Sequence, residues 1–363
     1  MNNSPLDLAL ELAEQAKGGV APRPPVGAVV VVDNEIVGMG STEPRPGQHA
    51  EPVALEQAGS RARGATIYCS LEPHAFQGVA PPCTDLIIRA GITRVMSPLE
   101  DPNPRVSGNG FRQLKAAGTE VARDSSAEQR TRAELLVEGF AHHLETGRPL
   151  VTLKIATSLD GKISTPAGES QWITGEASRA RVHGMRREAD AVITGIGTVL
   201  ADDPRLTARN AAGEATGRPL LRVVIDSNGR MPPDAAMVRE AGEILWVVGD
   251  RVEVEPSSDS VTVFKAPPSN GKIDLGAVIA ELGARDLHNV MIEAGGGLAG
   301  AFVENGLVDK VAAFIAPRII GGSTTAGPLA GHATASIGDA LLLDRVTHSV
   351  FDGDILIEGY VQR

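Results

Sequence analysis

Alternating strand and helix patterns constrain the fold of this 363-residue chain more than any other feature. In the first 145 residues, buried-strand runs such as "GATIYCSLEP" and "ITRVMSPLED" alternate with helical stretches such as "CTDLIIRAG" and "GFRQLKAAG". Repeated βα units of this kind imply a mostly parallel sheet with helices on its faces. The chain is therefore predicted to be an α/β protein.

A break in this alternation predicts two domains. The stretch "TGRPL" at 146–150 carries the Gly and Pro of a boundary, and the pattern restarts at Val151. Strand-like runs then extend from "VTLKIATSLDG" through "ADAVITGIGTVLADDP", "PLLRVVIDSNG", "EILWVVGD" and "HNVMIEAGGG" to "KVAAFIAPRIIGG", with helical stretches between several of them. The predicted domains are residues 1–146 and 150–363. Two domains agree with the two or three that are expected for a chain of this length.

Local signals fix the first elements of the chain. Ser4 and Pro5 resemble an N-cap followed by proline at the first helical position, and Gly18-Gly19 end this predicted helix. Two β-branched runs around Asp33-Asn34 predict a hairpin, and a second helix is predicted from about Ala50 to Ala58.

Composition narrows the class of partner. A formal net charge of −11 with 3% aromatic residues argues against nucleic-acid binding, which needs basic and stacking surfaces. No basic n-region with an apolar run and no stretch of about 18 apolar residues is present, so we expect a cytoplasmic protein without membrane contacts. The two cysteines, Cys69 and Cys83, suit a reducing compartment. Small-molecule chemistry is the favoured class, and the acidic balance is compatible with a homo-oligomer.

Four residues form a candidate zinc site. Catalytic zinc takes three protein ligands and leaves a fourth position for water, and His49, His74 and Cys83 can supply the three. Glu51, which is not a ligand, can move a proton during hydrolytic deamination. The alternatives are a chance His-x-Glu pair and a solvated histidine beside a proline. Cys69, within a predicted strand, is interpreted as an ordinary buried thiol.

Prolines place two of these ligands at helix starts. Pro52 tolerates only the first turn of a helix, so "HAEP" lies at a helix N-terminus. Pro81-Pro82 likewise put Cys83 at the start of the next helix, where the helix dipole favours a thiolate. The two helix N-termini are predicted to face one ion.

A glycine-rich stretch in the second half predicts a phosphate site. In "EAGGGLAGAF", Gly295, Gly297 and Gly300 have G-x-G-x-x-G spacing between a predicted strand and a helix. No acidic residue ends the next strand, as an ordinary Rossmann ribose site requires. The stretch is therefore interpreted as a phosphate-binding loop on a different nucleotide fold.

Motifs of the first half resemble the deaminase half of the bifunctional riboflavin-biosynthesis enzymes, in which a pyrimidine deaminase is fused to a reductase. The resemblance rests on "PPVGAVVV", "HAEPVAL", "SLEP", "PPCTDLI" and "DPNP", in matching order and spacing. It implies a cytidine-deaminase-like αβα domain with Zn²⁺ on His49 and Cys83 and Glu51 as proton shuttle. His74 stands where the family has cysteine.

The first half also departs from the family at substrate-facing positions. Where the family has polar and basic residues, this chain has the apolar residues Ala75, Phe76, Val79 and Ala80. Near residue 25 the family has a substrate-facing amide side chain, which this chain lacks. Arg23, at this place in the chain, can bind a phosphate instead. Histidine in place of cysteine is tolerable to zinc, because Zn–N and Zn–S bonds differ by only about 0.2 to 0.3 Å. The sequence therefore predicts that the metal site is kept and that the contacts with the substrate differ.

The second half resembles the reductase half of the same family, on "LKIATSLDGKIS", "ESQWIT", "ITGIGTVLADDPRLTAR", "VVIDS" and "IEAGGGLAGAF". This implies a dihydrofolate-reductase-like α/β domain that uses NADPH. The choice of NADPH over NADH comes from the resemblance, because residue types alone do not separate the two cofactors. By matched position, the cofactor residues are Ala156, Trp172, Thr198, Asp202, Ser227, Gly295, Gly296, Gly297 and Gly300, and the substrate residues are Ser170, Arg186, Leu206, Arg209 and Glu293. Asp202 and Lys154 are the candidates for proton handling.

The resemblance implies a bifunctional enzyme of riboflavin biosynthesis. The first domain would hydrolytically deaminate a phosphorylated pyrimidine ribosylamine, and the second would reduce its ribosyl group to ribityl with NADPH. Two alternatives stay open: a reductase with a degenerate, non-catalytic deaminase domain, and a non-catalytic nucleotide-binding regulatory protein.

Overall fold

A computed structural model describes residues 4–78, 81–322, 326–331 and 336–362. Val79 and Ala80, two of the apolar positions singled out from the sequence, lie outside the described residues. The chain divides into two compact units, Met1–Thr146 and Gly147–Arg363, which we call unit 1 and unit 2. Among the described residues, every helix is too short or too polar to cross a membrane.

The described residues of unit 1 form a five-stranded sheet, five α-helices and a short 3-10 helix, Gly59–Ala62. The strands are β1 (Gly27–Val32), β2 (Glu35–Ser41), β3 (Thr66–Cys69), β4 (Arg94–Met96) and β5 (Glu120–Ala122), and the helices are α1 (Pro5–Ala16), α2 (Ala50–Ala58), α3 (Cys83–Ala90), α4 (Asn109–Ala116) and α5 (Ala127–Thr146). The sheet order is β2-β1-β3-β4-β5. Strand β1 is antiparallel to both neighbours, whereas β3, β4 and β5 are parallel. The sheet is thus mixed rather than mostly parallel, because β1 pairs in antiparallel fashion with both β2 and β3.

Local chemistry explains the first elements. The Ser4 hydroxyl accepts from the Asp7 backbone N–H, and the Asp7 carboxylate accepts from the Ser4 N–H, which forms a capping box at the start of α1. Asp33 and Asn34 both have positive φ, as a two-residue hairpin turn requires. The predicted first helix and hairpin are both confirmed.

Glycines let α2 pack directly on β2. A Cβ at Gly38 would lie 2.1 Å from the Ala54 carbonyl oxygen, and one at Gly40 would lie 2.4 Å from that of Ala50. The helix backbone therefore rests on the strand without an intervening layer of side chains. This contact fixes the height of the α2 N-terminus above the sheet.

Unit 2 contains a nine-stranded sheet. Its strands are β6 (Leu150–Ser158), β7 (Ala191–Gly195), β8 (Leu221–Ile225), β9 (Ile244–Gly249), β10 (Val261–Ala266), β13 (Asn289–Ile292), β14 (Lys310–Ala316), β15 (Leu343–Phe351) and β16 (Asp354–Val361), and a separate short ladder is formed by β11 (Pro268–Ser269) and β12 (Lys272–Ile273). The helices are α6 (Glu176–Glu188), α7 (Ile196–Asp202), α8 (Leu275–Ala284) and α9 (Gly296–Glu304). The order is β10-β9-β8-β7-β13-β6-β14-β16-β15, with antiparallel pairing only where β16 meets β14 and β15. Two hydrophobic clusters of buried side chains form the core of this unit.

Two parts of unit 2 differ from the sequence expectation. The run "ADAVITGIGTVLADDP" is not one strand: β7 ends at Gly195 and the chain continues as α7. The sequence analysis does not predict the antiparallel pair β15 and β16, because β15 is exposed along most of its length and its apolar residues do not alternate regularly. Residues Thr198 and Asp202 consequently lie on a helix beside the carboxyl end of β7.

Candidate active sites

Three potential metal ligands converge in unit 1. His49 directly precedes α2, Cys83 is the first residue of α3, and His74 lies in the loop that follows β3. The Cys83 Sγ atom is 3.0 Å from His74 Nδ1 and 3.6 Å from His49 Nδ1. All three donor atoms lie within 4.8 Å of one another. The structure therefore brings together the three residues that the sequence assigned to a metal.

The donor set fits zinc. Two imidazoles and one thiolate are a three-ligand set of the kind that catalytic zinc uses, and the fourth position is left to water. Burial lowers the pKa of His49 to about 4 and also lowers that of His74, so both rings are neutral, as ligation requires. Burial raises the pKa of the Cys83 thiol, so metal binding must displace its proton.

Glu51 lies next to this cluster, in the first turn of α2. Its side chain is buried, and burial raises its pKa to about 7. The carboxyl group is close enough to the Cys83 thiol for each group to influence the pKa of the other. A carboxyl group with a pKa near the working pH can both take up and deliver a proton, which is the property of a general acid–base.

The loop that carries His74 is held by polar groups that sequence reasoning did not single out. Buried Glu72 accepts backbone N–H bonds from Asp101, Gly108 and Phe111, at 3.1, 2.8 and 3.1 Å. Burial raises the pKa of Asp101 to about 6. The signal that could have found Glu72 is an acidic residue at the end of a buried strand, where a carboxylate must find donors.

The residues that the sequence analysis expects to differ from the family pattern lie around the cluster where the structure describes them. Ala75 is buried and its carbonyl oxygen accepts from Gln113 Nε2 at 3.0 Å, while Phe76 contacts the His74 ring. Arg23 is half-buried and donates to the Gly47 carbonyl oxygen at 2.6 Å. Beyond the effect of burial, the Arg23 charge lowers the pKa of His74 further. A positive charge is thus near the metal ligands.

Unit 2 contains a cavity of about 600 Å³ beside the carboxyl ends of β6, β7 and β13. This edge is where open α/β sheets bind ligands. The predicted residues that line it are Lys154, Ala156, Ser170, Trp172, Arg186, Thr198, Asp202, Leu206, Arg209, Glu293 and Gly295. Ser227, Gly296, Gly297 and Gly300 are outside this lining. Ser227 is exposed, two residues beyond the end of β8.

The glycines of "EAGGGLAGAF" have different surroundings. Gly295 precedes α9, and a Cβ at Gly297 would meet no atom within 4 Å, so a ligand can approach the helix N-terminus closely. A Cβ at Gly300 would lie 1.9 Å from the Ala330 carbonyl oxygen. Gly300 therefore serves close packing, and the open cradle expected for the phosphates of a nucleotide is at Gly295 and Gly297.

A buried ion cluster occupies the cavity wall. Arg186 donates to Glu293 through Nε at 2.6 Å and through a terminal nitrogen at 2.9 Å, and Lys154 Nζ is 3.7 Å from the same carboxylate. Burial acts to raise the pKa of Glu293, but the charges of Arg186 and Lys154 bring it down to about 2. Glu293 is thus ionised and holds both cations at the cavity.

This cluster predicts a pH dependence of stability. Folding lowers the pKa of Glu293 from its ordinary value of 4.5 to about 2, so its stabilisation is full above about 4.5 and is lost as the pH falls towards 2. We expect the difference in unfolding free energy between wild type and Glu293→Ala to shrink over this range. The groups whose charges act on Glu293 are Arg186, Lys154 and His183. Urea unfolding at several pH values, monitored by the fluorescence of the buried Trp246, measures this difference in free energy. A difference that stays constant with pH would contradict the prediction.

The other wall of the cavity is formed by α7 and the segment before α6. Ser170 Oγ donates to Asp202 Oδ1 at 3.0 Å. Trp172 is 61% exposed, and the Arg179 guanidinium lies 4.7 Å from its ring centroid. Leu206 has φ of 50°, a conformation uncommon for leucine. The exposed ring beside a cation offers a flat surface to an aromatic ligand.

Sequence reasoning missed several residues of this lining, among them Arg179, His183 and Thr207. The Thr207 carbonyl oxygen accepts from Arg186 at 3.2 Å, and His183 Nδ1 is 3.2 Å from both that oxygen and the Arg209 backbone nitrogen. Helical spacing alone could have suggested His183, because it precedes Arg186 by three positions on one face of α6.

Two family models match this chain, one in each half. Residues 2–98 match the family model of the cytidine and deoxycytidylate deaminase zinc-binding region, and residues 149–357 match that of the RibD C-terminal domain. The riboflavin biosynthesis protein RibD of Escherichia coli K12 is 39% identical, over 86% of this chain and 87% of the relative, and RibD of Mycobacterium tuberculosis H37Rv is 38% identical, over 88% and 86%.

Solved structures give the same result. Acinetobacter baumannii RibD (form 1) superposes with a TM-score of 0.84 at 33% identity, covering 99% of this chain and 98% of that one. A deaminase/reductase from Thermotoga maritima superposes with a TM-score of 0.83 at 33% identity and the same coverage.

A cytidine-deaminase-like zinc domain followed by a reductase domain that uses NADPH is the class of enzyme that this fold and these sites define. Identity above 30% over most of both chains makes the assignment more specific. The chain belongs to the RibD family of bifunctional deaminase/reductases of riboflavin biosynthesis.

Proposed function

We propose that residues 1–146 deaminate a diaminohydroxyphosphoribosylaminopyrimidine and that residues 150–363 reduce the resulting 5-amino-6-(5-phosphoribosylamino)uracil, the two activities for which the Thermotoga maritima protein is named. The convergence of His49, His74 and Cys83 carries the deaminase half of this proposal, because the exchanged ligand still faces the others. A cytoplasmic location is part of the proposal, supported by two buried cysteines without a disulfide.

In the deaminase half, His49, His74 and Cys83 would hold the metal. Zinc, when bound, supplies a water molecule activated as a nucleophile. Glu51 moves one proton from that water to the departing amine, so the reaction consumes water and releases ammonia. Its burial beside Cys83 keeps the carboxyl group out of bulk solvent and its pKa near neutrality, as shuttling in both directions requires.

In the deaminase half, Arg23 is our candidate for the substrate phosphate. Arg23 lies near His74 and Cys83, and its only hydrogen bond among the described residues is to the Gly47 carbonyl oxygen. A guanidinium has five N–H donors, so several stay available for a phosphate.

In the reductase half, the Gly295 loop, Ala156, Thr198 and Trp172 would hold the cofactor. NADPH, when bound, supplies a hydride, and its acceptor is C1′ of the ribosyl group, which becomes ribityl. Arg186, Arg209 and Ser170 would orient the phosphorylated substrate, and Lys154 or Asp202 would move the proton that accompanies ring opening. Burial lowers the pKa of Lys154, which makes its proton easier to give up.

The exchange of the third ligand provides the test. We expect His74→Ala to lose zinc and ammonia release, because two protein ligands do not hold a catalytic zinc, and we expect His74→Cys to keep both. NADPH oxidation with the deaminated substrate should be unchanged in both variants. Metal analysis of the purified proteins, ammonia release and NADPH absorbance measure these outcomes.

A matched control is His348→Ala, which removes an exposed histidine of β15 and should leave zinc content unchanged. Stoichiometric zinc in His74→Ala would show that His74 is not a ligand. A wild-type protein without zinc and without ammonia release would contradict the deaminase half, and one without NADPH oxidation would contradict the reductase half.

A further inference from the structure

The imidazole of His74 packs against two other rings. Its centroid is 4.5 Å from that of His49, with the planes tilted by 44°, and 5.5 Å from that of Phe76, in an edge-to-face arrangement at 78°. On the Phe76 ring lies the Arg105 guanidinium, 4.0 Å from the centroid. Arg105, Phe76 and His74 thus form a continuous series of side-chain contacts that ends at the candidate metal ligands.

The backbone around His74 is held by other groups. The Thr84 N–H donates to the His74 carbonyl oxygen at 3.3 Å, and Gln113 donates to the next carbonyl oxygen, that of Ala75, at 3.0 Å. Gln113 in turn accepts from the Thr84 hydroxyl at 2.8 Å. These bonds fix the main chain, but they leave the rotation of the His74 side chain undetermined.

Ring rotation decides whether His74 can be a ligand. His74 Nδ1 is 3.0 Å from Cys83 Sγ, and it accepts a long hydrogen bond of 3.4 Å from the Cys83 backbone N–H. A ring nitrogen that gives its lone pair to a metal cannot keep such a bond, so the bond does not orient the ring in the ligated state. A histidine has two rotatable side-chain bonds, whereas a cysteine in the same place would have one and would need no ring contact to aim its sulfur. A histidine ligand therefore needs a neighbour that holds the plane of its ring, as metal-bound histidines generally do.

We propose that Phe76, backed by Arg105, is a positioning residue that orients the His74 imidazole towards the metal. The inference rests on the proposed function, in which His74 is a zinc ligand. The inference explains why an apolar ring is present at residue 76, because the phenyl ring orients the imidazole ligand. Phe76 is therefore required only while residue 74 is histidine.

A double-mutant cycle tests the pairing. In the full-length protein, we expect Phe76→Ala to raise the zinc dissociation constant about three- to tenfold, the size of one aromatic pair contact. Arg105→Ala should raise it about twofold, as an exposed cation–π contact does. In the His74→Cys background, Phe76→Ala should change the constant less than about twofold, because that site no longer needs an oriented ring. Competition with a chromogenic chelator measures each constant.

A spectroscopic readout separates orientation from general loosening. With Co²⁺ in place of zinc, Phe76→Ala should shift the ligand-field bands of the histidine-containing site and leave those of the His74→Cys site unchanged. Phe76→Tyr, which keeps the ring, should retain wild-type affinity and bands. The matched control is Arg112→Ala, which removes an exposed arginine of the neighbouring helix that bonds to Asn109 rather than to Phe76.

Two results would overturn the inference: an unchanged zinc constant in Phe76→Ala, or an equal loss of affinity in the histidine and cysteine backgrounds. Thermal unfolding of the metal-free variants verifies that each is folded. Failure of the proposed function is distinguishable, because wild type and His74→Cys would then both fail to bind zinc, whereas failure of this inference leaves their binding intact.

Discussion

Glu51→Gln is expected to lower the rate of deamination by about 10²- to 10⁴-fold, the usual contribution of a general acid–base. The amide has nearly the same shape as the carboxyl group but cannot carry the proton from water to the leaving amine. Zinc content should stay stoichiometric, since the ligands are His49, His74 and Cys83. Ammonia release and metal analysis on the same preparation measure the two quantities, and NADPH oxidation should be unchanged.

Glu56→Gln is the matched control, because Glu56 is an exposed carboxylate in the same helix, bonded to Gln48. It should leave both activities intact. Loss of zinc in Glu51→Gln would indicate that the carboxylate is itself a ligand. Retention of the full deamination rate would show that another group carries the proton, and the buried Asp101 would be the first to examine.

Glu293→Ala is expected to destabilise unit 2 by about 3 to 5 kcal/mol and to abolish reduction, because it leaves Arg186 and Lys154 in the cavity without their anion. Unfolding of this unit can be followed alone. Both tryptophans of the chain, Trp172 and Trp246, are in unit 2, and Trp246 is buried. Urea unfolding by tryptophan fluorescence therefore measures the free energy of unfolding of the reductase half.

An exposed ion pair of the same unit is the control. Glu253 accepts from Lys265 at 2.6 Å, but its side chain is 85% exposed, so Glu253→Ala should cost less than about 1 kcal/mol. If the two variants were equally stable, the Glu293 cluster would not contribute through buried charge. Reduction at the wild-type rate in a folded Glu293→Ala protein would remove Glu293 from the substrate site.

The sequence predicted best those parts of the sites that are determined by local chemistry. Proline is tolerated only in the first turn of a helix, so the prolines beside Cys83 and in "HAEP" predict that a helix begins at each place. The structure confirms both, because α3 begins at Cys83 and α2 begins at Ala50. Motif order across the chain also indicated both halves of the family, and the fold class is confirmed. These are signals that neighbouring residues carry, so they survive without knowledge of tertiary contacts.

Long-range contacts were beyond reach of such signals. Glu72 acts on residues 29 to 39 positions away, and the Arg186–Glu293 pair is separated by 107 positions. The turn from β7 into α7 depends on where the sheet ends rather than on the periodicity of "ADAVITGIGTVLADDP". The same holds for Phe76, whose contacts with His74 and Arg105 no pattern of spacing reveals.

The close seating of α2 on Gly38 and Gly40 has a consequence for how this site can evolve. Any side chain at either glycine would lift the helix and displace His49 and Glu51 together, so these two groups have almost no freedom to drift. His74, in contrast, stands on a loop whose side-chain direction depends on replaceable neighbours. Substitutions at the loop ligand and its neighbours should therefore disturb the positions of the other groups less than a substitution at either glycine.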